Sequence, residues 1–352
     1  MVSVRKGLGK LVKGIKNMGS DAADYSSRKQ FERSLSKITS GSDEDRVTVI
    51  KSLVAQAKAD PSLAEQIVDN LIASLKSQPP DSQLATLDAL LSLQKEATNR
   101  KKEIVDALKS TFSSPHPTVR VNTAKLWIKL SISSPDSLSP IMSNLFNLVL
   151  DDDKDVRYGA ADALKPVLVK QTKLSLPHLK KILSNDDWRI RYHGIVMAIF
   201  LVRKNPKVSK YISKEATDSV VFHRRVSEKA TDLVGIIGKI DPHLVSDSFP
   251  YLKEGLHSNN PELCKSSAKA VGRIASNDAD LVISLIPDLA SALESSNWWV
   301  HEQVLRTMGV IGAQRIDVIE PYIGLIENRV ATGGEAEIRK AAKRALQKIG
   351  VN

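Results

Sequence analysis

The chain has 352 residues, 42% of them hydrophobic and 26% charged, which is enough apolar mass to exclude an intrinsically disordered protein. Its 51 Lys and Arg against 40 Asp and Glu give a net charge of +11, which favours an acidic partner such as nucleic acid, anionic lipid or an acidic protein. One cysteine, Cys264, excludes an intramolecular disulfide framework and any zinc site built on two thiolates, and no apolar run reaches the roughly 18 residues of a spanning helix, so the sequence reads as a soluble protein of a reducing, cytoplasmic setting.

Residues 1–20, MVSVRKGLGKLVKGIKNMGS, carry Arg5, Lys6, Lys10, Lys13 and Lys16 and no acidic residue, so they supply five of the eleven net positive charges. On a helical wheel Val4, Leu8, Leu11, Val12, Ile15 and Met18 fall within an arc of about 120°, with the cations on the adjoining face. The pattern predicts a basic amphipathic helix. Gly7, Gly9 and Gly14 each cost it about 1 kcal/mol of helix propensity relative to Ala, so it should form only against a partner. Three roles are open to it: a cap on the exposed core edge of the domain that follows, a targeting peptide, or docking on an anionic membrane or a partner. In the last case Leu8, Leu11, Val12 and Ile15 would insert and Lys10, Lys13 and Lys16 would meet the charge. Position 2 is not glycine, so there is no myristoylation signal. A short linker over 21–27 separates this device from a second region, 28–352.

That region is periodic. Taking the first apolar residue after each small polar cluster as an anchor gives Val47, Val119, Val156, Ile190, Val226, Leu263, Val300 and Ile338, with a weaker copy at Gln83, at intervals of 34 to 38 residues. A period held this closely is the signature of a solenoid. Positions four, seven and eight after the anchor are mostly apolar or small, which is helical spacing. Upstream of each lies a second amphipathic stretch such as LVSDSFPYLKEGL or LVISLIPDLASAL, closed by a polar turn such as DDDK or SNN. Each unit is therefore two helices and a turn. Neither helix buries its stripe alone, so neighbouring units stack and expose one row of helices on a concave side. No sustained period-two alternation competes with this reading.

The segments DDDKDVRYGAADAL, SSPHPTVRVNTAKL and GGEAEIRKAAKRAL resemble the HEAT-repeat (armadillo-like) family, whose second helix opens with an acidic turn, Val-Arg and a run of small apolar residues. The resemblance covers about nine units over 28–350. It implies an all-α fold, a right-handed α-solenoid, and the work of a non-enzymatic scaffold that binds a protein partner along its concave surface.

Positions six and ten after the anchor project away from the core of the second helix. The last three repeats place Lys269, Arg273, Arg306, Arg344 and Lys348 there, with Lys125 and Lys129 isolated nearer the start. These five, with Trp298 and Trp299 at the entrance of one second helix, are the candidate partner-binding residues. The bland alternative is an ordinary solvated face. A second ladder, one residue after the anchor, holds Arg120, Arg157, Arg191, His301 and Arg339. It reads as structural, each Arg pairing with an Asp of a neighbouring turn, as the resemblance implies.

Two enzyme families built from similar repeats fail on their motifs. The deoxyhypusine hydroxylases hold iron through several His-Glu dyads, and here only His301-Glu302 forms one, so no metal and no cofactor is expected. The alkylbase DNA glycosylases set a Trp one turn before an Asp, a pattern that only Trp298 with Glu302 approaches. No phosphate loop, nucleophile elbow or Cys-His pair is present, and no catalytic residue is assigned. The expected partner is a protein, acidic in character. Nucleic acid bound on the basic stripe, with or without base excision, and an anionic membrane met by residues 1–20 are the rival readings.

Overall fold

The computed structural model describes residues 27–133, 139 and 141–351. The predicted basic helix over 1–20, including Leu8, Lys10, Leu11, Val12, Lys13, Ile15 and Lys16, lies outside the described residues, as does the linker up to residue 26. Among the described residues all regular structure is helical, and no helix is long and apolar enough to cross a membrane.

The chain divides into two units, Met1–Pro135 and Asp136–Asn352. The first holds α1 (27–40), α2 (Asp43–Ala59), α3 (Ala64–Ser74), α4 (Pro80–Ser92), α5 (Lys101–Ser110) and α6 (Pro117–Ser133), with α2 packed on α4 and α4 on α6. The second holds α7 (Met142–Asn147), α8 (Lys154–Lys170), α9 (Thr172–Leu183), α10 (Trp188–Lys204), α11 (Ser209–Val220), α12 (Arg224–Ile240), α13 (Phe249–Leu256), α14 (Pro261–Ala275), α15 (Ile286–Ser291), α16 (Trp298–Gly312), α17 (Ile316–Ile319), α18 (Ile323–Thr332) and α19 (Ala336–Ile349). Its second helices stack in sequence, α8 on α10, α10 on α12, and on through α14 and α16 to α19. Each unit is an α-solenoid of two-helix repeats.

The polar clusters start the second helices by capping them. Asp153 accepts from the amides of Asp155 and Val156, Asp187 from that of Arg189, and Asn260 from that of Glu262, which satisfies donors that a helix start leaves open. The anchors Val119, Val156, Val226 and Val300 are fully buried. Val47, Ile190 and Leu263 are only half-buried, a correction to the predicted register. After Ile190 and Leu263 the next residue, Arg191 or Cys264, is the more buried of the two. The first helices are less regular. α13 and α15 are entered through 3-10 segments, Pro242–Ser248 and Asp280–Leu285, and Pro250 and Pro287 in their first turns lack the amide that would continue an α-helix backwards.

Candidate functional site

The second helices of the last four repeats approach one another unusually closely, and small residues make this feasible. A Cβ on Gly235 would lie 2.7 Å from Ala270 Cα, one on Gly272 2.6 Å from Thr307 Oγ1, and one on Gly309 2.8 Å from Ala345 Cα. All three glycines stand nine residues after their anchor. Thr307 Oγ1 donates to the Ala268 carbonyl at 2.8 Å and ties α16 to α14. The result is a floor of small side chains with longer ones rising on either side.

Those longer side chains are basic. Lys239 of α12, Lys269 and Arg273 of α14, Arg306 of α16, and Arg344 and Lys348 of α19 line one open concavity of about 510 Å³, over a floor that includes Gly272, Thr307, Ala341 and Ala345. The five stripe residues read from the sequence are thus brought together. Lys239 escapes the sequence pattern because it lies thirteen residues after its anchor, at the last turn of α12, beyond the two positions read as solvent-facing.

Carboxylates at the edge answer part of this charge. Asp232 Oδ1 accepts from Arg273 Nη1 at 2.7 Å and Lys269 Nζ at 3.2 Å, and Arg203 approaches its other oxygen at 3.7 Å. Burial raises the Asp232 carboxyl, but the charges and hydrogen bonds of Arg273 and Lys269 outweigh that and hold it below the ordinary carboxylate value. Arg306 Nη2 meets Glu302 Oε1 at 2.5 Å along α16. Among the described residues no carboxylate pairs with Lys239, Arg344 or Lys348. The lining contains no Asp, Glu, His, Cys or Tyr; its polar groups are cations, hydroxyls and the Gln303 amide. Such a surface can bind an anion and orient it by hydrogen bonds.

Trp298 and Trp299 are not among the residues that line this concavity. They pack edge to face, ring centroids 5.9 Å apart, at the first turn of α16, with Trp298 exposed and Trp299 half-buried. Trp127 is buried, and Trp188 stacks on His223 at 5.1 Å with the Arg225 guanidinium 4.9 Å from its ring, so it fills a joint between repeats. Lys125 is exposed and outside the concavity; the side chain of Lys129 lies outside the described residues.

The arginine ladder has a backbone partner that the sequence reading did not include. Arg120 donates to the Ser114 carbonyl at 2.7 Å, Arg157 to Asp151 at 2.5 Å, Arg191 to Asn185 at 2.8 Å and Arg339 to Gly333 at 2.6 Å. His301 Nε2 lies 2.5 Å from the Ser295 carbonyl in the same way. Each of the five reaches the backbone carbonyl six residues upstream, within the repeat's own turn. The turn has little secondary structure of its own, and the guanidinium supplies a donor to its carbonyls.

No protein-family model matches the sequence, and no curated protein does. Solved structures do. The chain is similar to the karyopherin Kap121p in its crystal with the extreme C-terminus of the protein phosphatase Cdc14p, with a TM-score of 0.64, 15% identity, and 90% of this chain and 37% of the karyopherin covered. It is similar to Kap121p bound to Nup53p, with a TM-score of 0.63, 15% identity and the same coverage, and to an engineered protein at a TM-score of 0.54, 18% identity, and 91% and 88% covered. The chain therefore spans well under half the length of the karyopherin. At these identities the likeness speaks for the fold, and that fold is the HEAT-type α-solenoid.

Proposed function

We propose that this chain is a non-enzymatic cytoplasmic scaffold that holds an acidic segment of a protein partner in the basic concavity of its second unit. One observation carries the reading: six cations share a concavity of about 510 Å³ whose lining has no carboxylate, and Lys239, Arg344 and Lys348 have no ion-pair partner among the described residues. Like charges held together this way repel one another and are relieved when an anion enters. The class of partner is supported by Kap121p, a solenoid of the same fold crystallised with the C-terminus of Cdc14p and with Nup53p, Ste12p and Pho4p.

The test is a titration of the full chain with a labelled Asp/Glu-rich 20-residue peptide, short duplex DNA and single-stranded RNA at two salt concentrations. The peptide is expected to bind, more weakly at higher salt, and R344E/K348E to lose about tenfold or more, roughly 1.4 kcal/mol. Trp298→Ala, outside the lining, should stay within about twofold. Tight binding of DNA or RNA that weakens steeply as salt rises, with no binding of the peptide, would make the concavity a nucleic-acid site and overturn this assignment.

A further inference from the structure

The first unit carries a groove of the opposite sign. Between α2 and α4, Asp43, Glu44, Asp81 and Asp88 surround a space of about 720 Å³ with Val47 and Leu84 in its wall and Lys51 as the one cation lining it. Along the same two helices it continues past Val54 into a narrower slot of about 180 Å³. Asp43, Glu44 and Asp81 sit in first turns, where the helix dipole favours carboxylates. That explanation does not reach Asp88, which lies two turns further along α4. Asp43 accepts from the Ser82 amide at 3.2 Å, whereas Glu44, Asp81 and Asp88 have no ion-pair partner among the described residues. An apolar floor with an acidic rim is the complement of an amphipathic helix whose apolar stripe is flanked by cations.

The sequence pattern of residues 1–20 predicts such a helix. We infer that the groove between α2 and α4 is the docking site of residues 1–20 of the same chain, with Leu8, Leu11, Val12 and Ile15 turned to Val47, Leu84 and Val54, and Lys10, Lys13 and Lys16 turned to the carboxylates. The charges are opposite in sign, five cations in residues 1–20 against four carboxylates and one lysine in the groove. Reach is sufficient. Residues 21–26 span up to roughly 20 Å, and α1, which they join, is about 21 Å long and returns directly into α2. The tether is short enough for an effective concentration of about millimolar, so even a contact that is weak between separate molecules would be populated within one. Docking hides the same apolar face that a membrane would need, so the two uses of residues 1–20 exclude each other.

Hydrogen exchange by mass spectrometry on the full chain at low salt tests this. Amides of residues 4–18 should exchange at least about tenfold slower in the native chain than in D81K/D88K. The variant K10E/K13E, which changes nothing in the described repeats, should show the same loss of protection, and the four changes combined should restore it. Asp81 and Asp88 are exposed, so D81K/D88K should melt within a few degrees of the native chain. Unprotected exchange in the native chain would overturn the proposal. So would protection that survives D81K/D88K, which would seat the helix elsewhere, or protection that arises only with phosphatidylserine vesicles, which would make it a membrane anchor.

Discussion

Arg157, which is buried, and Arg339, which is half-buried, each hold two successive carbonyls of the turn before their own helix, Asp151 with Asp152 and Gly333 with Gly334, so one cation ties a turn to the helix it precedes. The sequence shows the arginine at a fixed place in the repeat but not its acceptor, because a backbone carbonyl has no residue type. Beside Arg157 lies a residue with a measurable consequence. His193 is buried against Tyr158, ring centroids 4.5 Å apart, and against Tyr192 at 5.8 Å. Burial, and then the positive charge of Arg157, push its imidazole down to about 4 from an ordinary value of 6.5. The unfolded chain therefore binds a proton there before the folded chain does. The stabilisation is complete above about pH 6.5 and is lost as pH falls towards 4, an effect of about 3 kcal/mol. Urea unfolding across that window should show His193→Gln with a shallower loss of stability than the native chain; parallel pH profiles would refute the assignment.

At the scale of the helix, the anchors and their small-residue followers made the second helices legible, because a stripe that must be buried on every repeat leaves a 3.6-residue rhythm that repeats with the unit. The first helices were legible as amphipathic stretches but not in detail, since the change from 3-10 to α geometry follows local proline placement at Pro250 and Pro287. Gly235, Gly272 and Gly309 were in view as residues, but their meaning depends on what faces them in the next repeat. Two glycines separate the effects. Gly309→Ala would put a methyl 2.8 Å from Ala345 Cα, on a backbone that cannot turn away, and should cost about 1–3 kcal/mol. Gly324 lies within α18, and an added methyl there would meet nothing within 4 Å, so Gly324→Ala should gain about 0.4–1 kcal/mol. Thermal or urea unfolding of the two variants should move in opposite directions; a neutral Gly309→Ala would mean that the helices are not in contact there.

For the molecule as a whole, a net charge of +11 averages over two surfaces of opposite sign, the carboxylates between α2 and α4 in the first unit and the cations of α12, α14, α16 and α19 in the second. The basic stripe was legible because its residues recur at two positions of the repeat. The acidic groove was not, because Asp43 and Asp88 fall at different positions of their repeats and meet only when α2 and α4 pack. A solenoid of this kind is held by contacts between neighbours and so need not open all at once. Cys264 turns that into something observable. Its Sγ donates to the Leu256 carbonyl at 3.0 Å, and burial pushes the thiol's pKa up, so a thiol reagent reaches it only when α13 and α14 part. Being the only sulfhydryl in the sequence, it is a clock placed by nature in one repeat. The rate at which it is alkylated in rising urea times the opening of that repeat, and is expected to give a midpoint different from that of total helicity, which sums both units; coincident midpoints would mean that the whole array opens as one.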